Sequence, residues 1–240
     1  MWYGFMVGLD GFQSPHVPLL RSCKKDVEQL EIAYKKRIKL QDITVLTKSR
    51  NEVPREGSMH AIDSNTILRK LKEVSKNCKE DDNLIVHFSS HGQNIDNELY
   101  IYSQATRVSS VDATILSSVR FSDIMGILED GCRAKYILIT IDTCFSGASR
   151  GHNITSCFPS EMDKTVIVVI SGCSSNQKAS EAEGTQLGQF TSKLIHCLGQ
   201  HTLGCISAKS IYNCVNKDRK ARYMIYGQAD PKSMDDLHIN

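Results

Sequence analysis

Two hydrophobic runs, Leu84-Ile85-Val86-His87-Phe88-Ser89-Ser90-His91-Gly92 and Tyr136-Ile137-Leu138-Ile139-Thr140-Ile141-Asp142-Thr143-Cys144-Phe145-Ser146-Gly147, each break off at a reactive side chain with glycine close behind. Short, nearly continuous apolar runs read as strands buried on both faces, the pattern of a parallel sheet. Lying in one such sheet, the two strands deliver His91 and Cys144 together to its carboxyl edge, where open α/β proteins build their sites.

The two residue types suit one another chemically. A free thiol is mostly protonated at neutral pH; a neighbouring imidazole supplies thiolate, a strong nucleophile toward an amide carbonyl. The same ring then protonates the departing amine and activates the water that releases the acyl group. Gly92 and the turn that starts at Cys144 allow backbone N–H groups, those of Gly92 and Cys144, to approach a developing oxyanion. A lone cysteine at a strand end is more often a small buried hydrophobe, and a lone histidine a satisfied core residue. The two together, each ending a strand, are far more specific.

These segments resemble the two catalytic motifs of caspase-like peptidases, and within them those of metacaspases and bacterial caspase-like proteases. Further stretches agree in order along the chain: Gly8-Leu9-Asp10, Pro18 to Asp26, Val168 to Cys173, and Gly188-Gln189-Phe190-Thr191. The resemblance implies an α/β fold, a three-layer α/β/α sandwich around a mostly parallel six-stranded sheet, with the site formed by the loops after the third and fourth strands. It implies a cysteine endopeptidase with His91 and Cys144 catalytic.

Asp142 precedes Cys144 by two residues, and Ser89 stands in the same relation to His91, so each points to the same face as its neighbour. The resemblance adds Cys23 and Asp26 as further walls of a substrate-binding pocket, and places Ser171 in its rim, with Cys173 there rather than at the nucleophile. Two carboxylates, Asp26 and Asp142, converging on one pocket bind a cation and repel an acid. The implied preference is for protein or peptide substrates with Arg or Lys before the cleaved bond. The plainer alternative makes Asp26 a first-turn carboxylate of its helix and Asp142 a loop cap.

The remaining sequence is compatible with one domain spanning residues 1–240. At 240 residues and 40% hydrophobic content the chain can bury one large core. A net charge of +2, without a dense basic stripe, argues against a nucleic-acid partner. No apolar stretch is long enough to span a bilayer, so no membrane association is expected. The nine cysteines follow no framework or zinc spacing and read as reduced thiols in a cytoplasmic protein. No Gly-rich phosphate loop follows the first strand.

Strands are predicted at Trp2 to Asp10, Asp42 to Lys48, Thr165 to Ile170 and Arg222 to Ile225, besides the two runs above. Helices are predicted at Ser22 to Ile38, after a cap at Ser64 or Asn65, over Phe121 to Leu128, and near Leu187 to Leu198 and Ile206 to Asn216. Leu99 to Val108 reads as a small hairpin outside the main sheet. Many metacaspases bind activating calcium, but Gln93 to Val108 lacks a dense acidic run and Gly151 stands where a further ligand is expected, so neither a cofactor nor a metal site is expected. Arg150 and Lys164 are candidate self-cleavage points, and activation by a protein or small signal is the other route. The competing function is a catalytically silent homologue acting as a scaffold or regulatory binding module; the intact His91 and Cys144 argue against it.

Overall fold

The two runs form neighbouring parallel strands, β3 (Asn83–Ser89) and β7 (Tyr136–Asp142), in which every residue but the first is buried. In the computed structural model, residues 1–38, 40–52, 60–144, 165–172, 186–200, 206–216, 222–226 and 238–239 are described. Four more strands complete the main sheet: β1 (Trp2–Leu9), β2 (Leu40–Lys48), β8 (Val166–Ser171) and β10 (Arg222–Tyr226). The order is β10-β8-β7-β3-β1-β2, with five strands parallel and β10 antiparallel to β8 at the edge.

Alternation along each strand sorts the side chains into two cores. Phe5, Val7, Leu84, Val86, Phe88, Ile137 and Ile139 face one side, where α2 (Ser64–Asn77) and α4 (Phe121–Gly131) cover them with Ile67, Leu71, Ile124 and Leu128. Met6, Ile85, Leu138, Val168 and Ile170 face the other, under α1 (Cys23–Arg37), α5 (Gln189–Gln200) and α6 (Ala208–Val215). Each such side chain contributes roughly 1.5–3 kcal/mol by leaving water, which is what makes a sheet covered on both faces favourable. On α1 the buried face is Val27, Leu30 and Tyr34, with Asp26 at its head. A fully buried carboxylate on an apolar face calls for partners, and they lie at the site.

Several local expectations are corrected. Helix α2 is capped by Asp63, whose carboxylate accepts the Thr66 N–H at 2.7 Å, rather than by Ser64 or Asn65, which lie inside the helix. The hairpin lies upstream of its expected place: β4 (Gly92–Ile95) and β5 (Glu98–Ile101) turn through Asp96 and Asn97, both at positive φ, the geometry that tight hairpin turns require. A third short strand, β6 (Val119–Arg120), joins it. Between them lies an unpredicted helix, α3 (Val111–Ser117), capped by Ser110; its Val111 and Leu116 are exposed, so it carries no amphipathic signal.

Cys197 and Cys214 form a disulfide between α5 and α6 with Cα atoms 6.1 Å apart, correcting the reading of all cysteines as reduced. Helix packing creates that proximity, and nothing in the linear spacing announces it. Among the described residues Cys23, Cys78, Cys132 and Cys144 take part in no disulfide. Two short strands, β9 (Ile206–Ser207) and β11 (His238–Ile239), pair antiparallel apart from the main sheet. Among the described residues no helix is long and apolar enough to cross a membrane. Arg150, Gly151, Lys164 and Cys173 lie outside the described residues.

Replacing Asp63 by Ala removes the cap of α2 and is expected to destabilise the protein by about 1 kcal/mol. Thermal melts of that variant beside Ser64→Ala check it, with the larger fall in Tm in the former.

Candidate active site

In the β3–β7 pairing Ser89 stands opposite Asp142, so His91 and Cys144 each follow two residues after a registered pair. The two chain exits then touch. A Cβ built on Gly92 would lie 2.7 Å from the Cys144 carbonyl oxygen and 2.8 Å from Thr143 Oγ1, so only glycine allows this approach. Cys144 is half-buried and outside any disulfide.

His91 is held from behind. Its Nε2 lies 2.8 Å from the Pro18 carbonyl oxygen. A carbonyl only accepts, so Nε2 carries the proton and Nδ1 is left as the basic nitrogen of the ring. The ring sits beside Phe12, with centroids 5.1 Å apart, and Tyr102, at 6.0 Å. The Tyr102 N–H donates to the His91 carbonyl at 2.9 Å, and the Ser90 hydroxyl donates to the Tyr102 carbonyl at 2.9 Å, which fastens the β3 exit to the hairpin. Desolvation lowers the His91 pKa and the Pro18 bond partly opposes it, so the ring is neutral at neutral pH and able to take a proton. Pro18 contributes through its main chain, which side-chain pattern cannot reveal.

Beside this pair lies a layer of buried polar groups. Ser89 Oγ donates to Asp26 Oδ2 at 2.7 Å, and the Gly188 N–H donates to Asp26 Oδ1 at 2.7 Å. Asp142 Oδ2 accepts the N–H and the hydroxyl of Thr191, at 3.0 and 2.8 Å. A Cβ on Gly188 would lie 2.3 Å from Asp142 Oδ2 and 2.9 Å from Asp26 Oδ2, so both carboxylates pack close against this residue and only glycine fits there. Among the described residues no Lys or Arg pairs with either.

The structure therefore brings Cys23, Asp26, Ser89 and Asp142 together. Cys23 heads α1, its N–H bound to Asp10 Oδ1 at 2.8 Å; its thiol meets the Ser89 hydroxyl, and burial pushes its pKa well above the usual value. Ser171 ends β8 one strand further along, opposite Ile141 and buried. Asp26 does stand in the first turn of its helix, and its oxygens reach across to Ser89 on β3 and to Gly188. Asp142 does have a structural role, because it satisfies a first-turn N–H of α5 that has no partner within the helix. Gly188 and Thr191 enter the site as anchors of these carboxylates. Among the described residues no three His, Cys, Asp or Glu side chains group so as to hold a metal ion.

Burial, and then the facing Asp142 carboxylate, push the Asp26 pKa up to about 8; Asp142 is raised by burial as well. Like charges this close resist ionising together, so the pair retains a proton at neutral pH. Folding thus favours the neutral acid: the stabilisation is complete below the ordinary value of 3.8 and is lost as pH rises through about 8. Asp26→Asn, which keeps the shape and cannot ionise, is expected to raise Tm at pH 8–9 and to flatten its fall between pH 5 and 9. Differential scanning fluorimetry across pH reads this, and an unchanged slope would count against a shifted Asp26.

The fold and this arrangement have relatives. The model of the caspase domain (Peptidase C14) matches residues 6–229. A solved structure, protein GSU0716 from Geobacter sulfurreducens, is similar with a TM-score of 0.67 at 15% identity, covering 97% of this chain and 96% of that one, and this likeness shows the fold. No curated protein matches the chain. With the family model spanning nearly its whole length, an α/β sheet of the expected class and the two motif segments in contact at its carboxyl edge, the chain belongs to the caspase-domain family of peptidases.

Proposed function

We propose that this protein is a cysteine endopeptidase that uses a Cys144–His91 dyad to cleave polypeptides after Arg or Lys. The observation that supports the specificity is the pair of buried carboxylates, Asp26 and Asp142, both beside Gly188 and neither paired with a Lys or Arg among the described residues. An arginine guanidinium entering there satisfies both, and the proton held by the pair leaves as it binds.

The chemistry then follows from the residues around the dyad. His91 Nδ1 takes the proton of the Cys144 thiol, and the thiolate attacks the carbonyl carbon of the residue seated in the pocket. Pro18 steadies the ring as it becomes imidazolium, because its carbonyl already accepts the Nε2 proton. The N–H groups of Gly92 and Cys144 receive the oxyanion. Imidazolium protonates the departing amine, and the neutral ring next draws a proton from water to hydrolyse the thioester. The proposal needs no metal or cofactor, and its substrates are proteins or peptides. The alternative of a catalytically silent scaffold requires the same residues to be present without turnover.

Fluorogenic peptides ending in Arg, Lys or Asp decide between these readings. A charge-assisted hydrogen bond in a desolvated pocket contributes roughly 1.5–3 kcal/mol, and an acid meets repulsion, so Arg peptides are expected to be cut at least about a hundredfold faster than Asp peptides. Cys144→Ala abolishes cleavage with the melting curve retained; no turnover by the wild type with any peptide would favour the scaffold. Asp142→Ala and Asp26→Asn lose most of the rate on Arg peptides. Because binding expels a proton, KM for the Arg peptide is expected to fall as pH rises toward 8. A KM flat with pH, or a preference for Asp, would overturn the pocket assignment while leaving the dyad standing.

A further inference from the structure

The hydrogen bond from His91 Nε2 to the Pro18 carbonyl joins two segments 73 positions apart, and neither residue lies in a strand. Pro18 belongs to the loop after β1, whose ends are tied by the Asp10 N–H donating to the Lys48 carbonyl at 3.0 Å and the Leu20 N–H donating to the Asp10 carbonyl at 2.8 Å. His91 lies between β3 and β4. Both segments hang on one short stretch, residues 102–104, just after β5. The Tyr102 N–H donates to the His91 carbonyl at 2.9 Å, and the Gln104 carbonyl accepts the Gln13 N–H at 2.8 Å. Phe12, next to Gln13, sets its ring 5.1 Å from that of His91 and 6.4 Å from that of Tyr102. One run of backbone thus decides where the imidazole stands and where the loop that carries its carbonyl partner stands.

Gln104 fixes that run. It is fully buried, and its backbone and side chain grip the same residue across 42 positions: the Gln104 N–H donates to the Ile62 carbonyl at 3.0 Å, and the Ile62 N–H donates to Gln104 Oε1 at 2.9 Å. Ile62 is buried in the core and directly precedes Asp63, the cap of α2, so the grip is on the start of a packed helix. Beside it, the Ser103 N–H donates to Thr106 Oγ1 at 2.8 Å and the Ser103 hydroxyl to the Ser117 carbonyl at 2.9 Å. Gln104 Nε2, shut off from water, has no partner among the described residues. A side chain kept for packing alone would not bring an orphaned donor, so the Oε1 acceptor is what the position calls for.

We propose that Gln104 is a positioning residue for the proposed Cys144–His91 dyad, on which reading this role rests: its side-chain amide locks residues 102–104 to the start of α2 and so holds the Pro18 carbonyl against His91 Nε2. Through that carbonyl it selects the tautomer. With the Nε2 proton donated to Pro18, Nδ1 is free to take the thiol proton; when the loop drifts, the ring can carry its proton on Nδ1, which then cannot accept another. Gln104 acts through other residues, not on the reacting atoms.

The test uses the full chain carrying Cys144→Ala with isotope-labelled histidine, so that nitrogen NMR reads the His91 ring without turnover. The ring is expected as the Nε2–H tautomer with its proton protected from exchange. Gln104→Met keeps the length of the side chain and loses the acceptor; the ring proton is then expected to exchange roughly tenfold faster and the Nδ1–H tautomer to appear. Gln104→Glu keeps the acceptor, and burial without a cation keeps its carboxyl protonated, so the original ring state is expected to return. A packing role would rank Met above Glu, and that order, or a ring unchanged in Gln104→Met, would overturn the proposal. With Cys144 intact, Gln104→Met is expected to lower kcat on Arg peptides about tenfold or more with KM little changed, because the pocket carboxylates are untouched. An unchanged kcat would overturn the proposal as well. Should the wild type cut no peptide, the dyad reading falls, and the ring proton still decides whether Gln104 positions His91. Should Gln104→Met fail to fold, exchange of the Gln13 N–H in the unaltered chain decides: protection supports the tie, and exchange at the rate of a free loop amide overturns it.

Discussion

The parallel pairing of β3 with β7 is the constraint on which the site depends. Ser89 opposite Asp142 sets two chain exits at one height, and the next two residues of each deliver an imidazole and a thiol to the same edge. A slip of one residue would turn every side chain of a strand to the other face, moving Ser89 or Asp142 into the core beneath α2 and α4. The near-unbroken apolar runs below that point hold the register, because both faces of both strands are buried and any slip would expose or misplace several aliphatic side chains.

Above the aliphatic layers the sheet changes character. Asp26, Ser89, Asp142 and Thr191 form a polar layer sealed from water, with the donors of Ser89, Gly188 and Thr191 satisfying most of the carboxylate oxygens. Two facing buried acids oppose the folded state as pH rises, and an apolar pair of similar volume would fit the same space without that cost. On the proposed function, a ligand of opposite charge relieves that cost.

Much of this was legible in the chain because it rests on period-two alternation. His91, Cys144, Ser89 and Asp142 stand at fixed offsets from apolar runs, and the runs themselves give the sheet. Asp26 reads as a polar residue at the head of an otherwise apolar helix face, and only resemblance joins it to Asp142, because a contact across 116 positions leaves no local trace. The Pro18 carbonyl and the Gly188 N–H are backbone atoms and have no compositional signature at all. Helix α3 escaped for a different reason: its apolar residues face outward, so the pattern that betrays an amphipathic helix is missing. The Cys197–Cys214 bridge is likewise a product of how two helices pack, legible only once they are placed.

In the proposed pocket Asp142 would couple recognition to architecture, and this bears on how such a protein can diverge. Its carboxylate packs against Gly188 and also receives the first-turn N–H of α5. Exchanging it for a basic residue would leave that N–H orphaned, set a cation against the end of a helix that already carries partial positive charge, and strand Asp26 against a new neighbour. On the proposed assignment, the route from this pocket to one of opposite charge passes through unstable intermediates unless the start of α5 changes as well. Lineages descending from such a chain would then be held to its pocket chemistry by the helix that Asp142 anchors, with their diversity free to accumulate elsewhere.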